Sequence, residues 1–279
     1  MTTPVRRRTL RARLLAYITD ATARLQAAWR ILTTAQNALL TALAAIRPGN
    51  GRGISARIRT ATTVFQRALA AFDRAATAFA ERWAVSDLPL IYREGAWTML
   101  DNADQDQGLF AWTDRHRAAV TAASAQYYAD ITSRIQEALR RARAFLRAAL
   151  AAARNTATTP FDAEALRREH PLDTVIYGAR TRYPADAWAH AAVTWQAVTT
   201  ANTGAARAAL DELGCEWVEV RDGPDCGWES HDDPDRANRT LRTVQDALAH
   251  PSAHPHCARE LLPRLDLIGR TEIRSGALL

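Results

Sequence analysis

The residues of this sequence best suited to chemistry lie between Cys226 and Cys257. The segment opens Cys226-Gly227-Trp228-Glu229-Ser230-His231 and closes, after a polar insert, with His254-Pro255-His256-Cys257. Thiolate and imidazole are the donors that zinc prefers, and two closely spaced pairs can close a tetrahedron at little cost in chain entropy. Cys226, His231, His254 and Cys257 are therefore the candidate ligands of a structural zinc ion. Pro255 fixes the backbone where the second pair must turn, and His250 and His256 are spare imidazoles. Two other readings stand beside this one: a Cys226–Cys257 disulfide, or a metal-free loop in which His254 bonds a backbone carbonyl. A catalytic metal would need an open coordination position and a poised carboxylate. Glu229, Asp232 and Asp233 are close in sequence, but acids beside a turn are usually solvated. No phosphate loop, Ser-His-Asp signature or dinucleotide fingerprint can be read in the chain, so no enzymatic activity is expected.

These residues need a scaffold, and the flanking sequence supplies its signals. Cys215 to Val220 alternates and reads as the single clear strand, and Asp222-Gly223-Pro224-Asp225 turns out of it into Cys226. Pro184 to Leu213 reads as a helix with Trp188, Ala192, Trp195 and Val198 on one side and Gly214 as its stop. Tyr177 to Arg180 reads as a turn, and Thr240 to Ala249 as a short helix before the second ligand pair. Together these make a knuckle-like module over 226–257.

The first half carries long apolar stripes. Leu14, Ile18, Ala21, Leu25, Leu32, Leu39, Leu43 and Ile46 recur at helical spacing, and Ile54, Ile58, Ala61, Phe65, Leu69, Phe72, Ala76, Phe79 and Trp83 follow beyond Pro48-Gly49-Asn50-Gly51. That pattern predicts an antiparallel hairpin with a coiled-coil-like seam. Ser86-Asp87-Leu88-Pro89 reads as the end of the pair and the cap of a shorter helix. Thr113-Asp114 caps a third long helix with Val120, Tyr127, Ile131, Ile135, Leu139, Ala142, Leu146 and Leu150 as its stripe. The expected fold is mainly α: a long N-terminal helical arm or bundle over 1–155, then a small α+β, zinc-stabilised C-terminal module over 161–279. The Thr-rich stretch from Asn155 to Pro160 is the boundary.

All 36 basic residues are arginine, and the formal net charge is +6. The guanidinium fork suits phosphate and carboxylate. The basic flank of Arg134, Arg140, Arg141, Arg143 and Arg147 nevertheless reads first as a solvated helix face, because no aromatic ladder interleaves it. An odd count of three cysteines argues against a disulfide framework and for a reducing compartment. No apolar run is long enough to span a bilayer, and Asp20, Arg24 and Arg30 interrupt what would otherwise be a leader, so no membrane association is expected.

The stretch Gly214-Cys-Glu-Trp-Val-Glu-Val-Arg-Asp-Gly-Pro-Asp-Cys-Gly-Trp228, then Ser230-His231-Asp-Asp233 and Ala253-His-Pro-His-Cys-Ala-Arg259, resembles the MuF-like minor capsid proteins of head morphogenesis in tailed bacteriophages, in their actinobacteriophage form. Thr199 to Gly204 is similar to the polar run in the helix before the strand. The resemblance runs from about Tyr177 to Leu265 and is only architectural before that. Ala258 stands where a second basic residue is expected. Many relatives carry Cys-x-x-Cys in the first turn; here Gly227-Trp228-Glu229 offers no second cysteine, which makes His231 the substitute. The resemblance implies a non-enzymatic protein of the virion, in the capsid interior after assembly in the host cytoplasm. It would attach to the portal protein, meet the major capsid protein or scaffold and non-specifically the packaged DNA, and aid head assembly, packaging or DNA ejection. The rival readings are a zinc-stabilised nuclease-like enzyme using His231-Asp232-Asp233, and a MuF-type effector.

Overall fold

The computed structural model of this chain describes residues 9–46, 56–155, 161–177, 181–270 and 275–276. The long apolar stripes become long helices: α1 (Leu10–Ala44), α2 (Ala56–Arg82), α3 (Leu88–Asn102), α4 (Asp114–Asn155) and α6 (Ala185–Asp211), with the short α5 (Ala163–Glu169) between the last two. The fold is mainly helical, with a small sheet region toward the C-terminus. No described helix is long and apolar enough to cross a membrane.

Two compact units are present, and they interleave along the chain. One comprises Met1–Ala21, Arg82–Tyr127 and His190–Leu279; the other comprises Thr22–Glu81 and Tyr128–Ala189. The boundary expected at 155–161 falls inside the second of them. The reason for the difference is that α1, α4 and α6 each run through both units, so a break in composition between helices is not a break in packing. The turn expected at Pro48–Gly51, Ile54 of the second stripe, most of the Asn155–Pro160 boundary and residues 178–180 of the expected turn lie outside the described residues.

In the Thr22–Glu81 and Tyr128–Ala189 unit, α1 and α2 run antiparallel, as their stripes predict. Trp29 meets Phe72 edge-on at 5.1 Å, and Arg24 stands 5.5 Å over the ring of Phe79, so the partners recede along α2 as α1 advances. Phe65 adds Phe145 of α4 at 5.3 Å. A hairpin of β1 (Thr174–Tyr177) and β2 (Thr181–Pro184) closes this unit, pairing Val175 with Tyr183 and Ile176 with Arg182. Two of the arginines assigned to a solvated flank hold this hairpin. Arg141 donates to the carbonyls of Pro171 and Thr174 at 2.7 and 2.6 Å, and Arg134 donates to that of Ile176 at 2.9 Å.

In the other unit the helix path departs from expectation at Ser86–Pro89. The chain does not end its helix there; Trp83–Asp87 form a π-turn that runs directly into α3. The Leu88 N–H reaches five residues back to the Trp83 carbonyl. Pro89, with no N–H to give, is thereby taken up in the first turn of α3 without a break. α3 and α6 then approach so closely that only glycine fits: a Cβ at Gly95 would sit 1.8 Å from the Ala201 carbonyl oxygen, and one at Gly204 would sit 2.1 Å from that of Tyr92.

The predicted strand is β3 (Trp217–Arg221), entered through Gly214 at φ +61°. It is the centre of a sheet in the order β4-β3-β5, flanked on both sides antiparallel by β4 (Leu241–Thr243) and β5 (Glu260–Pro263). The expected helix over 240–249 is therefore two elements, β4 and the short α7 (Val244–Ala249), whose first turn is capped by the Thr243 hydroxyl. Val218, Val220 and Leu261 of the sheet bury against Ala205, Ala206, Ala208 and Ala209 of α6. Alanine at these positions lets a helix lie close on a short sheet.

Candidate metal centre

The turn out of β3 is built by local hydrogen bonds. Asp222 receives its own following amide, Gly223 N–H, on Oδ1 at 2.8 Å, and the Cys226 N–H closes on the Gly223 carbonyl at 3.1 Å. Ala237 N–H returns to the Cys226 carbonyl at 3.0 Å, so the polar insert folds back over the turn. At the other end, Cys257 N–H bonds the His254 carbonyl at 3.0 Å, the tight turn that Pro255 was expected to favour. Asn202 of α6 fastens that loop, donating to the carbonyls of Pro251 and Arg259 at 2.8 and 2.9 Å.

Three of the four predicted ligands converge. One donor atom each from Cys226, His231 and His254 lie within 4.8 Å of one another, and the group could hold a metal ion. Cys226 Sγ is 3.2 Å from His254 Nε2, and the rings of His231 and His254 meet at 4.9 Å. Cys226 is buried, His254 half-buried and His231 exposed, so the site opens to solvent on the His231 side. The fourth predicted ligand has a different partner: the Cys257 Sγ lies 3.5 and 3.6 Å from the two carboxylate oxygens of Asp222. All three cysteines carry free thiols, so the Cys226–Cys257 disulfide is not formed. Neither spare imidazole joins the group. His250 binds Asp246 and packs on Trp228, and His256 stacks on His190.

Beneath the Cys/His group lies an ion pair that spacing did not reveal. Arg259 Nε donates to Asp222 Oδ2 at 3.0 Å, and both side chains are fully buried. The remaining guanidinium donors reach the carbonyls of Trp228 (3.1 Å), His250 (2.6 Å) and Gly227 (2.9 Å). One arginine thus ties the first ligand turn to the segment before the second. Arg242 and Arg259 both lie over the Trp228 indole, their guanidinium carbons 4.4 and 4.5 Å from the ring centroid. In the sequence, Asp222 reads as a turn residue and Arg259 as the end of the second matching stretch; no spacing rule joins the two.

The electrostatics follow from burial beside a carboxylate. Burial, the Asp222 charge and hydrogen bond, and Cys257 push the Cys226 thiol up to about 11. Burial and Asp222 raise Cys257 as well. Burial and His231 lower His254, which favours the neutral imidazole that a metal needs. A cation here must therefore displace a thiol proton, and its charge would reverse the local balance that holds that proton. The His256 N–H faces His254 Nδ1 at 3.3 Å. Metal on Nε2 would move the ring proton to Nδ1 and turn that amide away. Of the acids beside His231, Asp233 is engaged locally: its two oxygens accept from Glu229 N–H at 3.0 Å and Asp235 N–H at 2.9 Å.

Comparison with family models, with characterised proteins and with solved structures finds no match to this chain.

Proposed function

We propose that this chain is a non-enzymatic minor capsid protein of a tailed bacteriophage, attached to the portal inside the head and aiding assembly, DNA packaging or ejection. We propose also that its C-terminal α+β region is fastened by a structural zinc ion on Cys226, His231 and His254. One observation carries the reading. The segments that resemble the MuF-like proteins, 214–233 and 253–259, are separated by the polar insert and a short helix, yet their distinctive residues meet around one buried ion pair: Asp222, Cys226 and Trp228 from the first, with exposed His231 at the solvent edge, and His254, Cys257 and Arg259 from the second. Residues that meet around a buried ion pair act on stability, which suits a part of a particle more than a site of turnover. The nuclease-like alternative draws less support, because Asp233 already accepts two backbone amides and is held ionised by them.

The test has two parts. Co-expression with the cognate portal protein, followed by gel filtration at low salt, should give one co-eluting complex; separate peaks count against the portal assignment. Elemental analysis of the purified chain should find about one zinc per chain, removed by a chelator with a fall in melting temperature. Protein that is free of zinc and melts unchanged after chelation would overturn the metal assignment. Metal-dependent cleavage of DNA that His231→Ala abolishes would replace this reading with the enzymatic one.

A further inference from the structure

Charge is divided unequally between the two compact units. The Thr22–Glu81 and Tyr128–Ala189 unit holds 18 arginines against nine acids, a formal +9. The other unit holds 18 against 21, a formal −3, and the two make up the +6 of the chain. The arginines also differ in what they do. In the acidic unit, Arg13, Arg115, Arg117, Arg242, Arg259 and Arg264 each pair with a carboxylate. In the basic unit, Arg57, Arg67 and Arg74 of α2 and Arg143, Arg147 and Arg154 of α4 are exposed, and none has an ion pair among the described residues. From Ala138 to Asn155, α4 contains no acid at all, and neither does α2 from Ala56 to Ala71.

Their placement is regular. Arg143, Arg147 and Arg154 follow at steps of four and seven, which puts them on one line of α4, away from buried Ala142, Phe145 and Ala149. Arg67 and Arg74 form the same kind of line on α2, away from buried Phe65 and Phe72. We infer that the outward arginine faces of α2 and α4 are a contact surface for the phosphate backbone of double-stranded DNA, read without regard to sequence. The line from Arg143 to Arg154 spans about 17 Å of helix. Duplex DNA presents about ten phosphates over that length. An acidic protein partner fits less well, since such interfaces depend on buried aromatic or apolar anchors. Over these two stretches Val64 is the one exposed large apolar side chain among the described residues. This gives the proposed portal-bound protein a polyanionic partner, but its test needs no portal, so either reading can fail without the other.

The full chain is titrated against a fluorescent random-sequence duplex of about 30 base pairs between 50 and 200 mM salt. Six phosphate contacts predict that affinity falls about 1,800-fold over that range. The variant R143Q/R147Q/R154Q should flatten the logarithmic salt slope by about 2.7, so that the fall becomes about 40-fold. Its helical circular dichroism should be unchanged, since these side chains are exposed. If that variant misfolds, R67Q/R74Q replaces it, with a slope change of about 1.8. R115Q/R117Q, whose arginines are paired with Asp211 and Asp114, should keep the wild-type slope. A wild-type slope in both the α4 and the α2 variants overturns the inference. So does binding of polyglutamate without binding of duplex, which would assign the surface to an acidic protein.

Discussion

Replacing Asp222 by Asn removes one charge from a fully buried pair while keeping the shape of the side chain. The amide oxygen can still receive Gly223 N–H, but Arg259 is left with its three carbonyl partners and no counter-ion. Breaking a buried pair by removing one partner typically costs 3–5 kcal/mol, roughly, because the surviving charge stays desolvated. Arg259 cannot escape to water without releasing the carbonyls of Gly227, Trp228 and His250 and losing its stack on Trp228. We therefore place Asp222→Asn at about 4 kcal/mol, toward the middle of that range. At an m-value of about 2 kcal/mol/M this lowers the urea midpoint by about 2 M. The measurement is made in chelator, so that any metal held by Cys226 does not contribute. Arg259→Met removes the other charge, and the double variant is the control. If the pair is coupled as drawn, the double variant is markedly more stable than the sum of the single losses implies. Strictly additive losses, or an Asp222→Asn loss below about 1 kcal/mol, would refute the reasoning.

Other consequences are equally open to measurement. Gly204→Ala puts a methyl against the Tyr92 carbonyl oxygen and should destabilise the α3–α6 crossing by about 3 kcal/mol or more, whereas an unchanged melting temperature would show that the crossing yields freely. Cys226→Ser and His254→Ala should each abolish zinc uptake and Cys257→Ser should preserve it, as the Cys257 thiol rests on Asp222; loss of zinc in Cys257→Ser would mean that this thiol leaves Asp222 to become a ligand. Burial holds Glu212 above its ordinary value of 4.5, against the opposing hydrogen bond and charge of His116. The folded state then binds the extra proton above that value, so this group removes stability as pH rises from about 4.5 toward its folded value. Glu212→Gln, which can still accept from His116 Nε2, should lose that component, and melting curves from pH 4.5 to 7 with the wild-type slope would contradict it.

The apolar periodicity and the strand after Gly214 are local signals, and the structure follows them. The steps of three and four in Leu14 to Leu43 and in Ile58 to Trp83 place those side chains on buried faces, since a helix turns apolar residues together whatever it packs against. The Gly214 stop and the strand after it also follow from local conformational preference. The Cys/His pairs point to their site because each lies within a single turn. Tertiary structure decided the rest. β4 and β5 are three and four residues long, too short for an alternation to show, and they are strands only because β3 lies between them. Arg134 and Arg141 look solvated until a hairpin supplies carbonyls for them. Cys257 looks like a fourth ligand until Asp222 is found beneath it. That carboxylate and Arg259 are 37 residues apart, and only the closed chain brings them together, where the cost of burying two charges holds them as a pair.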